Sequence, residues 1–437
     1  MIVGVELPGR TAQETDASLD ELERLVDTAG GEVVERVVQR RGAPEPATFI
    51  GGGKVAELRE LVKQVGADAV IFDEDLAPAQ QRNLEEGIRQ KVLDRTIVIL
   101  DIFAQHATSR EGKAQVELAQ LNYLLPRLRG WGTALSRQAG GRTAGGAGIG
   151  GRGPGETQLE VDRRRIMRRI SKLRRDLAGF AKIRETKASE RERNRVQVVA
   201  LVGYTNAGKS SLLNRITGSS AKVEDRLFAT LDTTVRRLPL EDGRDIVLTD
   251  TVGFVRKLPH GLVEAFKSTL EESTRADLLL HVVDASHPGA EAHIVAVHEV
   301  LEEIGADEVP AQLVLNKADA AAPAVVDALA RRVQVELGVD PVVVSAHSGL
   351  GIEELVERIT LRLPSQRVRV EGHVPYRRQD LVALAHRRGT VVKEAHTDTG
   401  TELIADVDVD TAVEMREFLD EDPLAGEPEH WERTSTP

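Results

Sequence analysis

The chain has 437 residues, 41% hydrophobic and 29% charged, with a net charge of −12 and no cysteine. The length suggests about three domains, and the lack of cysteine excludes disulfides, thiol catalysis and Cys-ligated zinc while fitting a reducing compartment. No apolar run approaches the roughly 18 residues of a membrane span, and MIVGVELPGR lacks the marks of a signal peptide, so a cytoplasmic protein is expected, with room for a partly membrane-peripheral fraction.

Residues 1–107 alternate strand-like and helix-like patterns. IVGVEL (2–7), VVERVVQ (33–39), AVIFDED (69–75) and TIVILDI (96–102) read as strands. SLDELERLVDTAG, KVAELRELVKQVG and APAQQRNLEEGIRQ have helical spacing between them, which predicts a small α/β domain. FIGGGKVAEL, from Phe49 to Leu58, lacks the full phosphate-loop spacing. A turn opening a helix accounts for it, with a second nucleotide site as the other reading.

Residues 108–195 predict a long antiparallel helical hairpin. In AQVELAQLNYLLPRL, Val116, Leu118, Leu121, Leu125 and Leu128 suit a helix face, and Pro126 is expected to kink or restart the helix. A glycine-dense loop, 140–155, follows. Beyond it Leu159, Ile166, Ile170, Leu173, Leu177 and Ile183 recur at spacings near three, four and seven, as in a coiled-coil seam. Arg137 to Arg195 holds 17 Lys/Arg against 7 Asp/Glu, a local +10, so the rest of the chain sums to −22. An acidic chain with one basic stretch suggests a single directed contact with nucleic acid or phosphate; a solvated coiled-coil face is the alternative.

Residues 196–364 restart the alternation with VQVVALV, DIVLTD, ADLLLHVVDA, AQLVLNKAD and DPVVVSA. These near-continuous apolar strands predict a mostly parallel sheet covered on both faces. Residues 365–425 read as a small α+β domain (RVRVEGHVPY, DLVALAHRR, TVVKEAHTD, ELIADVD, AVEMREFL), and 426–437 as a disordered tail.

The chemistry is concentrated in the third region. GYTNAGKS, comprising Gly203, Tyr204, Thr205, Asn206, Ala207, Gly208, Lys209 and Ser210, follows a strand and matches G-x-x-x-x-G-K-[ST]. The glycines permit backbone conformations and close approach that a Cβ would obstruct. Successive N–H groups and the next helix N-terminus cradle phosphates, Lys209 brings charge to them, and Ser210 offers a hydroxyl to Mg²⁺. DTVG, from Asp250 through Thr251 and Val252 to Gly253, lies about 40 residues on. Asp250 can hold Mg²⁺ directly or through water, and the Gly253 N–H can approach a γ-phosphate.

NKAD, made of Asn316, Lys317, Ala318 and Asp319, ends another strand. Asp319 can accept the two N–H donors of guanine, and adenine would leave it unpaired. Ser345 and Ala346, with His347 next in the loop, can supply backbone N–H to the guanine O6. Thr230, Thr233 and Thr234 are candidates for closing on Mg²⁺, with Thr230 favoured because it leaves a few residues of approach to the strand RRLPL. Phe254 stands where many GTPases carry a glutamine that orients the attacking water. Phenylalanine cannot bond water, so either intrinsic hydrolysis is slow or another group supplies the function; slow hydrolysis accelerated by the ribosome is expected.

GYTNAGKS, FATLD, DTVGF, NKAD and SA, with AQVELAQLNYLLPRL and GGRGPGETQLEVDRRRI upstream, resemble the HflX family of ribosome-associated GTPases. The resemblance implies a P-loop GTPase that binds GTP, GDP and Mg²⁺. It places Phe228, Ala229, Thr230, Leu231 and Asp232 in the switch, with Thr230 as the metal threonine. It further implies binding to the 50S subunit, near the peptidyl-transferase region of the 23S rRNA, and dissociation of stalled or idle 70S ribosomes. Under that reading Gly150, Gly151, Arg152, Arg163, Arg164, Arg168 and Arg169 are candidate RNA contacts at the tip and flank of the hairpin. Asn206 is a candidate ligand for K⁺, and a monomer is expected. The rivals are a tRNA-modification GTPase, a class that needs a C-terminal cysteine this chain lacks, and an RNA-binding scaffold with structural GTP.

Overall fold

A computed structural model of the chain describes residues 1–128, 154–193, 196–219, 227–228, 230, 233–241, 244–255, 272–363 and 367–420. It falls into two compact units, Met1–Leu238 with Asp245–Ile359 and Pro239–Arg244 with Thr360–Pro437.

The first unit opens with β1 (Ile2–Glu6), α1 (Ala12–Thr28), β2 (Arg36–Arg40), α2 (Gly52–Val65), β3 (Ala69–Phe72), α3 (Pro78–Ile88), β4 (Lys91–Asp94) and α4 (Arg95–His106). The strands form a parallel sheet in the order β2-β1-β3-β4. Alternation divides its side chains: Val3, Val5, Val70 and Phe72 face Val55, Leu58 and Leu84 of α2 and α3, while Ile2 and Ile71 face Leu19, Leu22 and Leu25 of α1. A capping box starts α1, in which the Thr11 hydroxyl accepts from the Glu14 N–H and the Glu14 carboxylate accepts from the Thr11 N–H. Gly51 precedes α2, and its N–H is held by Gln39 Oε1 at 3.1 Å. The FIGGGKVAEL glycines thus form a turn that opens a helix.

TIVILDI departs from the strand expected of it: it is helical. Asp94 ends β4 and caps α4 by accepting from the Ile97 N–H at 3.1 Å. Val98, Ile99, Leu100, Ile102 and Phe103 are all buried, because α4 lies within the large apolar cluster with helices on more than one side. A helix buried nearly all round loses the 3.6-residue polar signal and reads as a β-branched run.

α5 (Arg110–Arg127) and α6 (Pro154–Arg193) form the hairpin. Ala114 and Leu118 pack on Ile170 and Leu173, flanked by Leu121, Leu125, Ile166 and Leu177. The helices run antiparallel, since Glu117 accepts two hydrogen bonds from Arg169 at 2.6 and 2.5 Å and the earlier Glu111 pairs with the later Arg184. Burial of each seam leucine is worth roughly 1.5–3 kcal/mol, against about 0.2–1 for an exposed ion pair, so the seam carries the hairpin and the pairs fix its register. Three expectations change. Val116 faces the N-terminal cluster. Ile183 is 55% exposed, so the seam ends at Leu177. Pro126 lies inside the last turn of α5, which runs through Arg127, so the helix does not restart there. The side chain of Leu159 lies outside the described residues.

The second sheet of this unit comprises β5 (Val198–Gly203), β6 (Thr234–Pro239), β7 (Asp245–Asp250), β8 (Leu278–Asp284), β9 (Ala311–Asn316) and β10 (Val342–Val343), in the order β10-β9-β8-β5-β7-β6. The pairs from β10 to β7 are parallel. With it come α7 (Lys209–Thr217), α8 (Ala290–Glu303), α9 (Pro323–Leu337) and α10 (Ile352–Arg362). Chain order reverses at β5, so the C-terminal end of that strand is a topological switch point, where ligands of open α/β sheets bind.

The second unit holds the antiparallel sheet β11 (Arg367–Pro375), β12 (Gly389–His396) and β13 (Gly400–Asp408), in the order β11-β13-β12. Val370, Val374, Leu403, Ala405 and Val407 on one face pack on Leu381 and Ala385 of α11 (Gln379–Arg388) and on Met415 of α12 (Val409–Met415).

Candidate functional site

The loop from Gly203 to Gly208 leaves β5 at the switch point and runs into α7. Gly203 has φ +151°, and a Cβ there would lie 2.2 Å from the Val282 carbonyl; Gly208 has φ +89°, and a Cβ would lie 2.3 Å from Asn316 Nδ2. Both positions therefore require glycine. Asn206 takes φ +59°, a left-handed conformation that asparagine tolerates. Lys209 opens α7 and its Nζ donates to the carbonyls of Gly203 and Tyr204, each at 3.0 Å. Burial pushes its pKa down to about 8, against the pull of Asp250.

Ser210, Thr230 and Asp250 converge beside this lysine. Ser210 Oγ lies 2.7 Å from Thr230 Oγ1 and donates to Asp250 Oδ2 at 2.5 Å. Burial raises the Asp250 pKa, opposed by Lys209 and Ser210. Its Oδ1 is buried with no hydrogen-bond partner among the described residues. Two hydroxyls and a carboxylate with an unsatisfied buried oxygen are the donor set of a hard divalent cation, so these residues fit Mg²⁺. Thr230 meets this cluster, whereas Thr234 belongs to β6.

Asp250 ends β7, and Thr251 Oγ1 donates to the Leu201 carbonyl at 2.7 Å. Val252 packs into the large apolar cluster. A Cβ on Gly253 would come within 2.9 Å of Thr205 Cα and Lys209 Nζ. Phe254 is 2% exposed, buried among Phe228, Tyr204 and Val252. Phe228, at φ +56°, sets its ring edge-on to Phe103 of α4 with centroids 4.5 Å apart. Ala229, Leu231 and Asp232 lie outside the described residues.

The NKAD segment leaves β9 on the same sheet edge. Asn316 Nδ2 donates to the Ala207 carbonyl at 2.9 Å, and its Oδ1 accepts from the Ala346 N–H at 3.0 Å. One side chain thus joins the phosphate loop to the Ser345–His347 loop. Lys317, at φ +61°, pairs with Asp284 at 2.8 Å. Ala318 N–H donates to Val344. Asp319 Oδ1 accepts from Ser345 Oγ at 2.6 Å, and this bond first, with the nearby His347 and Lys317, holds the carboxyl below the usual range. Asp319 is therefore ionised and oriented at neutral pH, as a paired acceptor requires.

Of the hairpin candidates, Gly150, Gly151 and Arg152 lie outside the described residues. Arg163, Arg164, Arg168 and Arg169 are exposed on α6. Arg164 pairs with Glu160 at 2.6 Å, and Arg169 with Glu117; Arg163 and Arg168 pair with no carboxylate among the described residues. Sequence reasoning missed Glu21, Arg95 and His293, which surround the Tyr204 side chain. The only signal was chemical: a buried tyrosine needs an acceptor, but nothing in the sequence pairs positions 183 apart.

A phosphate loop at the switch point of a parallel sheet, a donor set that fits magnesium and an oriented carboxylate that fits the guanine donors are the marks of a P-loop GTPase. Family models agree along the chain: a GTP-binding GTPase N-terminal region over residues 16–104, its middle region over 106–191, and a 50S ribosome-binding GTPase over 198–317. The GTPase HflX of Lacrimispora saccharolytica is 46% identical over 89% of this chain and 90% of its own length. That of Escherichia coli K12 is 48% identical over 80% and 79%. A GTP-binding protein from Sulfolobus solfataricus, solved with GDP, is 24% identical over 83% of this chain and 98% of its own, with a TM-score of 0.40. The chain belongs to the HflX family of GTPases and is a GTP-hydrolysing enzyme. Among the described residues no helix is long and apolar enough to cross a membrane.

Proposed function

We propose that the chain is a GTP-driven switch that binds the 50S subunit and dissociates stalled or idle 70S ribosomes, with hydrolysis resetting the switch. GTP is held by Gly203–Ser210, by Gly253 and by Asn316–Asp319 with Ser345–His347. Mg²⁺ is held by Ser210 and Thr230, with Asp250 behind them through water. The observation that carries the proposal is the contrast within one site: the metal donors are assembled, yet Phe254 is buried and offers nothing to water. Such a site favours slow intrinsic turnover and needs a partner to place the nucleophile. The 50S-binding family match supports the ribosome as that partner, and the exposed arginines of α6 support contact with its RNA. Asn206 is proposed to hold K⁺ beside the β/γ bridge.

The test is multiple-turnover GTP hydrolysis with and without 50S subunits, paired with a 70S dissociation assay. Stimulation with splitting is expected. Turnover on the order of 1 s⁻¹ or faster without ribosomes, or no stimulation by 50S, overturns the proposal. Shortening Gly140–Gly151 should leave GTP affinity and intrinsic hydrolysis nearly intact and lower splitting.

A further inference from the structure

Tyr204 is the second residue of the phosphate loop, and two parts of the chain grip it. Its backbone is bridged to Phe254: Thr205 N–H donates to the Phe254 carbonyl at 2.7 Å, and Phe254 N–H to Gly203 at 3.1 Å. Its own carbonyl accepts from Lys209 Nζ. The side chain is 5% exposed and takes no part in the phosphate cradle. The ring stacks on His293 of α8, with centroids 3.7 Å apart and planes 6° from parallel. The hydroxyl donates to the Glu21 carboxylate of α1 at 2.7 Å.

Glu21 is itself anchored. It pairs with Arg95 at 2.9 Å, Arg95 is 1% exposed and also pairs with Asp73 at 2.8 Å, and Asp73 accepts from Ser18 Oγ at 2.7 Å. A buried ionic chain built on the N-terminal sheet and its helices therefore ends on the loop that cradles the phosphates. A hydrogen bond to an ionised acceptor in such surroundings is short and strong, and a stacked ring leaves the side chain little freedom. A loop held in this way has less entropy to lose when a ligand binds.

We propose that Tyr204 is a positioning residue: tied to Glu21, it holds the phosphate loop in its nucleotide-binding stance, so the N-terminal layer sets guanine-nucleotide affinity. The inference rests on the nucleotide reading given above and deepens it. A tether of this kind acts on binding and leaves the chemical step alone. A contact that only supports the fold would lower stability without separating the two.

The experiment uses the full chain and fluorescent mant-GDP, with GTP turnover in parallel. The unaltered protein comes first, since its failure to bind mant-GDP would defeat the nucleotide reading itself. Tyr204→Phe keeps the ring and loses the hydroxyl, and Glu21→Ala removes the acceptor. Each should speed mant-GDP release and raise KM for GTP about fivefold, the modest share of a charged hydrogen bond left once the loop's other anchors persist. Single-turnover hydrolysis at saturating GTP should stay within about twofold of the unaltered rate, the range in which a binding-only effect lies. The double variant should match Glu21→Ala, because Tyr204→Phe removes a bond that Glu21→Ala has already removed, whatever loss of the Arg95 pair adds to both. Unchanged release in Tyr204→Phe, a loss confined to the saturated rate, or effects that multiply in the double variant would overturn the inference. Should Glu21→Ala not fold, Tyr204→Phe alone decides.

Discussion

Asp319→Asn tests the guanine reading most sharply, because the structure predicts a swap of specificity as well as a loss. The carboxylate is 34% exposed, so each of its two bonds to guanine N–H groups takes the low end of the range for charged partners, about 1.5 kcal/mol. Losing both costs about 3 kcal/mol, on the order of a hundredfold in Kd. The geometry decides how the new amide sits. Ser345 Oγ donates to Oδ1 at 2.6 Å, so the asparagine carbonyl takes that position and its NH₂ turns to the base. It then opposes the guanine amine but suits xanthine, which carries a carbonyl in that place. Titration with mant-GDP and mant-XDP should show GDP weakened about a hundredfold and XDP strengthened. A GDP loss under about fivefold, well below one charged hydrogen bond, or equal competition by ATP in the unaltered protein, would refute the reasoning.

Replacing K⁺ with Na⁺ should slow 50S-stimulated hydrolysis and Asn206→Ala should remove the difference; identical rates in the two salts would leave Asn206 as a loop-shaping residue only. His281 of β8 is buried, its Nε2 has no hydrogen-bond partner among the described residues, and burial pushes its pKa down to about 3. The unfolded chain therefore binds the extra proton first, and stability present above about pH 6.5 is lost as pH falls toward 3. Urea melts at pH 7 and 5 should show His281→Leu losing about 2 kcal/mol less than the unaltered protein between the two, and equal losses would contradict this. On α6, Arg163→Gln and Arg168→Gln should each lower the slope of log K for 50S binding against log salt by up to about one, while Arg164→Gln and Arg169→Gln, whose charges already meet Glu160 and Glu117, should lower it less. Equal effects at all four positions would mean that those pairs open on the ribosome.

What the sequence disclosed and what it concealed divide along a physical line. The convergence of Gly203, Lys209, Ser210, Asp250, Asn316 and Asp319 on one sheet edge was legible because the phosphate, metal and base proposed for them would impose residue types at short, ordered spacings, each local to one strand end. Thr230 could be preferred over Thr234 only from its distance to the next strand, and the 2.7 Å approach to Ser210 supplies what distance could not. TIVILDI failed for the opposite reason. Its residues are chosen for burial on several sides, so they carry no polar face to report the helix, and only Asp94 as a cap marks where it starts. α4 is also the element whose Phe103 meets Phe228. The N-terminal sheet layer and the G motifs therefore meet through residues, Phe103, Arg95 and Glu21, that look like ordinary core and surface in the sequence. Their role depends on long-range pairing, and long-range pairing is the part of a fold that periodicity does not encode. Phe254 joins the two cases. Its place after DTVG made the absence of a glutamine visible, but only packing shows what the phenylalanine does there: it fills the apolar cluster that also receives Phe228, Val252 and Phe103. Phe→Ala substitutions in cores cost about 3–5 kcal/mol, so a glutamine at 254 would trade that packing for a buried amide, and the proposed function accordingly takes its water-positioning group from outside the cluster.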